Sequence, residues 1–151
     1  LPLSSLVNEC VELVRPALVA KRLTLHADIA PDLKAMIDPQ MTSTILRNLL
    51  VNAIQAMPDG GLLKIGVEDW DEADMPVGIR FVVSDSGPGI SKGDLDRLFE
   101  PFFTAKKPGG NGLGLWVSKN LIERYGGRLT ASSTPGHGAS FIVWLRCEPL
   151  S

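Results

Sequence analysis

Apolar residues recur at helical spacing in three long stretches of the chain, Ser4–Arg22, Asp38–Met57 and Leu113–Tyr125. Such spacing places the apolar side chains on one face of a helix. A shorter helix is predicted over Ser91–Glu100, which begins with a capping residue. Alternating or short apolar runs bounded by turn residues predict six strands: Leu23–Ile29, Leu33–Ile37, Leu62–Asp69, Val77–Asp85, Arg128–Ser133 and Ala139–Arg146.

The ends of the second long helix carry the clearest local signals. Asp38 suits the N-cap and Pro39 suits the first helical position. The run of turn residues from Pro58 to Gly61 predicts where this helix stops. In the first helix, Pro16 predicts a kink or a break.

The order of these elements, α-β-β-α-β-β-α-α-β-β, favours one compact fold. Short turns between successive strands favour antiparallel pairing, and the helices must cover one face of the sheet. We therefore expect an α/β (α+β) two-layer sandwich with a mixed, mostly antiparallel sheet. A chain of 151 residues is long enough for a single domain, 1–151.

Composition and charge exclude several classes of protein. Hydrophobic residues make up 44% and charged residues 21%, which is a globular balance, and no apolar run approaches a membrane span. A net charge of −2 gives no general attraction to nucleic acid or to acidic membranes. Cys10 and Cys147 predict buried thiols in a reducing, cytoplasmic compartment. The chain has only two histidines, which argues against a His/Cys metal site. Because the chain begins at Leu1, we expect a fragment of a longer protein.

The second long helix has a polar stripe. Asn48, Asn52 and Gln55 are spaced four and three apart, so they share one face. A solvated surface would explain this stripe. However, Asn is a mediocre helix former, and Lys or Glu would favour the helix more on a face that only contacts solvent. Amide groups both donate and accept hydrogen bonds, which suits a site for a hydrated cation and a phosphate.

Two glycine-rich segments are candidate ligand sites. In "SDSGPGI", Asp85 ends an apolar strand and Gly87 and Gly89 follow, which is either an ordinary tight turn or a carboxylate beside a close ligand. "KKPGGNGLGLW", Lys106–Trp116, precedes a helix, and free N–H groups at a helix N-terminus bind phosphate. It is neither a P-loop nor a Rossmann fingerprint, and a flexible surface loop would also explain it. "GHGASF" alone predicts a hairpin turn.

These segments, in this order, resemble the ATP-binding catalytic domain of sensor histidine kinases, whose superfamily includes gyrase B and the mismatch-repair ATPases. "NLLVNAIQAM" resembles the N box, "DSGPGI" the G1 box and "LFEPFFTAK" the F box, while "GNGLGL" resembles the G2 box and "GHGASF" the last glycine box. The resemblance covers nearly the whole chain and implies a Bergerat-type ATP-binding fold. Each box alone is a weak signal, but five in register are a strong one.

The resemblance implies a role for each box. Asn52 would be the Mg²⁺ ligand with Asn48 nearby, and Asp85 would accept a hydrogen bond from the adenine amino group. Gln55 stands where many members carry a basic residue, and Ser140 would join a water network with Asp85. The implied ATP-binding set is Asn48, Asn52, Gln55, Asp85, Gly87, Gly89, Ile90, Phe103, Thr104, Lys106, Gly110, Asn111, Gly112, Leu113, Gly114, Leu115 and Ser140.

The resemblance also implies how phosphate is transferred. Hydrolysing members carry a Glu as general base where this chain has Asn48, which cannot take a proton, so we expect weak ATP hydrolysis. The phosphoryl group of Mg-ATP would go to a histidine on a separate dimerisation domain and, indirectly, to a response regulator. His26 lies in a predicted strand and His137 in a turn, so neither fits that role, and we expect a monomer that does not phosphorylate itself. The alternatives are an anti-sigma-factor-type serine kinase and a silent nucleotide-binding or docking module.

Overall fold

The computed structural model describes residues 3–30, 35–36, 38–70, 78–101, 114–146 and 148–149. Within these ranges the helices are α1 (Leu3–Ala20), α2 (Pro39–Ala56), α3 (Lys92–Arg97) and α4 (Gly114–Arg124). The strands are β1 (Thr24–Ile29), β2 (Ala35–Met36), β3 (Leu62–Trp70), β4 (Gly78–Asp85), β5 (Arg128–Ser133), β6 (Ala139–Arg146) and β7 (Glu148–Pro149).

Five strands form the main sheet in the order β1-β3-β4-β6-β5. β1 runs parallel to β3, and the other neighbours in this sheet pair antiparallel. The predicted mixed, mostly antiparallel sheet is therefore confirmed. The expected pairing of the first two strands is wrong, because β2 pairs with β7 in a separate two-stranded sheet. β1 instead reaches β3 through a crossover containing α2, as a parallel pair requires.

The two long N-terminal helices differ in how far local signals determine them. The Asp38 side chain accepts hydrogen bonds from the backbone N–H groups of Gln40 at 3.0 Å and Met41 at 3.2 Å, which confirms the predicted N-cap of α2. Of the kink or break predicted at Pro16, the break is wrong, since α1 continues to Ala20. Pro16 lies on the exposed face of α1, and burial of its neighbours on the other face favours a continuous helix.

The core lies between the helices and one face of the sheet. Alternate residues of β3 and β4 point into it, because side chains on a strand alternate between the two faces. The most completely buried large side chains are Phe141, Leu46, Leu49, Leu50, Leu63, Ile65, Ile79, Ile122, Leu129, Leu145, Val7 and Val83. The other side of the sheet, here called the outer face, carries the intervening residues of each strand.

Cys10 belongs to the contact between α1 and α2. Its thiol is fully buried and lies 3.5 Å from the hydroxyl of Ser43, which confirms the prediction of a buried thiol. Cys147 lies outside the described residues. In the part of the chain that the structure describes, no helix has the length and apolar character of a membrane span, and no cluster of three His, Cys, Asp or Glu side chains has the geometry of a metal site.

Candidate nucleotide site

Asp85 lies at the end of β4, where the strand enters a turn over Ser86–Ile90, here called the glycine turn. Its carboxylate is buried and accepts a hydrogen bond from the backbone N–H of Gly87 at 2.9 Å. Asp85 follows Phe81 and Val83 at every second position, so it lies on the face of the sheet that the helices cover. A negative acceptor group is thus fixed at the boundary between the sheet and the helices.

The glycine turn packs closely against two neighbouring elements. A Cβ at Gly87 would lie 3.3 Å from the carbonyl oxygen of Ala56, at the end of α2. At Gly89, where φ is +80°, a Cβ would lie 2.6 Å from the carbonyl oxygen of Thr134. A Cβ at Gly87 would also lie 3.0 Å from the carboxylate of Asp85, so the close approaches at these glycines are to Asp85, to α2 and to the loop after β5. Direct contact of either glycine with an adenine base stays a prediction.

The polar stripe of α2 runs between α4 and the glycine turn. The side-chain amide of Asn48 donates a hydrogen bond to the hydroxyl of Ser118 in α4 at 3.2 Å. Asn52 lies one turn further along and is half-buried. Ala56, one turn beyond Asn52 on the same side of the helix, contacts the glycine turn. Eight residues of helix span about 12 Å. The structure thus brings Asn48, Asn52 and Asp85 to one side of the molecule, with Gln55 exposed beside them.

Part of the predicted site lies on either side of α3 in the sequence. Ile90 is half-buried and donates its N–H to the Ser133 hydroxyl at 2.7 Å, while Gly114 begins α4 and Leu115 is half-buried against the core. The ammonium of Lys119 lies 5.0 Å from the ring centroid of Phe99, so a cation–π contact joins α4 to the end of α3. The remaining residues of the implied ATP-binding set lie outside the described residues: Phe103, Thr104, Lys106, Gly110, Asn111, Gly112 and Leu113.

Ser140 lies on the strand next to Asp85. In the sheet register Asp85 pairs with Ala139, and Ser140 pairs with Ser84. The hydroxyls of Ser84 and Ser140 lie 2.9 Å apart on the outer face. Both line an outer cleft of about 340 Å³ together with Lys64 and His137. Asp85, at the end of its strand, also lines this cleft. The water network joining Ser140 to Asp85 stays a prediction.

Sequence reasoning missed Ser133, which joins the glycine turn to the last hairpin. Its hydroxyl accepts the hydrogen bond from Ile90 and donates one to the carbonyl oxygen of Gly138 at 2.9 Å. Gly138 in turn lies against the backbone of Asp85. A lone serine at the end of a strand gives no sequence signal for such a role, since it depends on two segments about 45 residues apart meeting in the fold.

Residues 37–149 match the family described as histidine kinase-, DNA gyrase B- and HSP90-like ATPase. The chain belongs to this family and has its ATP-binding fold. It is 34% identical over 146 residues to the sensor histidine kinase ZraS of Escherichia coli K12, which covers 95% of this chain. The catalytic domain of histidine kinase ThkA superposes with a TM-score of 0.83 at 30% identity and covers 99% of this chain and 95% of that one.

A second structure shows a related kinase with its partner. Histidine kinase ThkA in complex with response regulator protein TrrA matches with a TM-score of 0.78 at 27% identity, over 99% of this chain and 41% of that one. This chain spans 30% of the length of ZraS, so it corresponds to one part of such a kinase. These comparisons favour the histidine kinases over the serine-kinase and docking-module alternatives.

Proposed function

We propose that this chain is the ATP-binding catalytic domain of a sensor histidine kinase. It binds Mg-ATP and supplies the γ-phosphoryl group to a histidine on a separate dimerisation domain. The observation that carries this proposal is the position of Asp85, a buried carboxylate facing the helices beside the polar stripe of α2. Family membership and the likeness to the catalytic domain of ThkA support it.

The side chains at the site fit a nucleotide and a magnesium ion. Asp85 has the acceptor that an exocyclic amino group requires, and Asn52 has an amide oxygen, the hard ligand type that Mg²⁺ prefers. Bound Mg²⁺ would neutralise phosphate charge during transfer. Asn48 has no proton-accepting group, and its amide donates to Ser118. We therefore assign Asn48 a structural role between α2 and α4 and expect slow transfer of phosphate to water.

The contacts to the phosphates come from the segment between α3 and α4. Phe103, Thr104, Lys106 and the residues 110–115 are proposed to close over the triphosphate, and Gln55 lies exposed on the α2 side. Free N–H groups at the start of α4 favour an anion there. The Phe99–Lys119 contact joins the chain just after α3 to α4, the two elements that flank this segment.

The partners follow from the phosphoryl transfer. We propose that the domain acts in the cytoplasm, where ATP is available, on the phosphoacceptor domain of its own kinase. The response regulator would receive the phosphoryl group from that histidine, and the ThkA complex with TrrA supports binding between such a kinase and a response regulator. ADP leaves the site after transfer, and the domain by itself is a monomer.

Calorimetric titration of the purified 151-residue chain with ATP and ADP, with and without Mg²⁺, tests the proposal. Asp85→Asn removes a hydrogen bond to a charged group, which contributes about 1.5–3 kcal/mol, or about ten- to a hundredfold in affinity. Asp28→Asn makes the same chemical change at an exposed position of β1 and is the matched control. Equal binding by Asp85→Asn and the wild type would refute the assignment of Asp85, and no binding by the wild type would refute the function.

A further inference from the structure

Lys21 lies just beyond α1, and its side chain reaches the far end of α2. The ammonium donates hydrogen bonds to the carbonyl oxygens of Ile54 at 2.8 Å and Met57 at 2.9 Å. The backbone carbonyl of Lys21 also accepts a hydrogen bond from the N–H of Gly60 at 2.8 Å. One residue therefore fixes the last turn of α2 and the loop that follows it.

The end of α2 needs such a partner. The last carbonyl groups of a helix have no partner within the helix, and they form the negative end of its dipole. The last turn of α2 contains no basic residue, and Pro58 directly follows the C-cap residue Met57. Lys21 thus provides from another part of the chain the positive charge and the donors that α2 itself lacks.

The same end of α2 supports the glycine turn. A Cβ at Gly87 would lie 3.3 Å from the Ala56 carbonyl oxygen and 3.6 Å from the Met57 sulfur. The N–H of Gly87 donates to the carboxylate of Asp85. Continuous contact therefore links the ammonium of Lys21, the last turn of α2, the glycine turn and Asp85.

We infer that Lys21 is a positioning residue for the nucleotide site: it holds the end of α2 against the glycine turn, so that Asp85 is in place before the nucleotide binds. The inference rests on the proposed function. Outside α1, Lys21 forms hydrogen bonds with Ile54, Met57 and Gly60, so it acts through the end of α2 and the loop that follows. Loss of its hydrogen bonds would lower the fraction of molecules with an ordered site, and apparent affinity falls in proportion to that fraction.

A purely stabilising role is the competing explanation, and a control in the same helix separates the two. Val7 is fully buried in α1, about 21 Å along the helix from Lys21. The contacts of Cys10 with Ser43 and of Lys21 with Ile54 show that α1 and α2 run in the same direction. Val7→Ala therefore weakens the α1–α2 contact far from the glycine turn.

The experiment compares ATP and ADP affinity for the wild type, Lys21→Met, Lys21→Arg and Val7→Ala by calorimetry, at a temperature where circular dichroism shows each to be folded. We expect Lys21→Met to weaken binding about five- to twentyfold by lowering the competent fraction. Arg can donate to two carbonyl groups, so Lys21→Arg should stay within about threefold of the wild type. Val7→Ala should bind like the wild type. Equal affinity of Lys21→Met and the wild type, or equal weakening by Val7→Ala, would overturn the inference.

Amide hydrogen exchange without nucleotide gives a second readout that does not depend on ATP binding. The N–H of Gly87 should exchange faster in Lys21→Met than in Val7→Ala, because the support of the glycine turn is lost only in the first variant. Unchanged exchange at Gly87 would overturn the positioning role even where the wild type binds ATP. Failure of the wild type to bind would refute the proposed function, while faster exchange at Gly87 would still show that Lys21 orders the turn.

Discussion

At the scale of single residues, Gly138 is the most constrained glycine near Asp85. Its φ is +85°, and a Cβ there would overlap the carbonyl oxygen of Asp85 and lie 2.9 Å from the carbonyl carbon. Gly136 in the same turn has the same φ of +85°, yet a Cβ there would meet nothing within 4 Å. The two positions therefore share the backbone strain and differ in the close contact with β4.

Gly138→Ala should destabilise the domain more than Gly136→Ala. Both substitutions place a side chain on a left-handed backbone, which costs about 1–2 kcal/mol. Gly138→Ala also introduces a steric clash of about 1–3 kcal/mol. Urea unfolding followed by circular dichroism measures the difference. Equal losses of unfolding free energy in the two variants would show that the backbone of Asp85 moves aside without cost.

Thr42 carries an unusual polar atom in the core. Its side chain is 1% exposed, and its hydroxyl has no hydrogen-bond partner among the described residues. Thr42→Val keeps the shape and removes the buried hydroxyl, so the free energy of unfolding should rise by about 1 kcal/mol. Thr44→Val, where the hydroxyl donates to the carbonyl oxygen of Gln40, is the control and should give no such gain. A lower midpoint for Thr42→Val in thermal unfolding would contradict this prediction.

At the scale of secondary-structure elements, the contact between α2 and α4 includes a side-chain hydrogen bond. Asn48 donates to Ser118, which is 1% exposed. In a double-mutant cycle, Asn48→Ala and Ser118→Ala should show a coupling energy of about 0.5–1.5 kcal/mol. Chemical unfolding of the wild type, both single variants and the double variant measures it. Strict additivity would mean that the hydrogen bond contributes nothing to stability.

Local sequence signals predicted where the helices and strands lie better than they predicted which parts of the chain contact one another. Asp38 and Pro39 determine the start of α2 within a few residues, so the sequence was sufficient there. The ammonium of Lys21 binds the end of the same helix from 33 positions away, and no local pattern indicates that contact. Ser140 illustrates the same limit, because its face depends on the register of β6 against β4. The position of Asp85, at a strand end before a tight turn, was predictable because its neighbours in sequence define it.

At the scale of the whole molecule, the two faces of the sheet carry different candidate functional residues. Asp85 lies on the face that the helices cover, and the outer face carries the row Lys64, Ser84 and Ser140. His26 pairs in register with Lys64 and is exposed on that outer face. His137, the other histidine of the chain, lines the outer cleft. His26 therefore lies on the face opposite the helices, and the outer cleft extends to the end of β4, where Asp85 also lines it.

The isolated chain should therefore not phosphorylate itself. Phosphoryl transfer requires a donor and a nucleophile aligned at close range. His26 lies on the outer face of the sheet, and His137 lies in the exposed turn before β6. Incubation with Mg-ATP followed by intact-mass spectrometry at neutral pH should show unmodified chain. Addition of a dimeric helical phosphoacceptor domain should produce phosphohistidine on that domain and none on this chain. A phosphoryl group found on the chain alone, and lost in His137→Gln, would instead make the outer cleft the place of transfer.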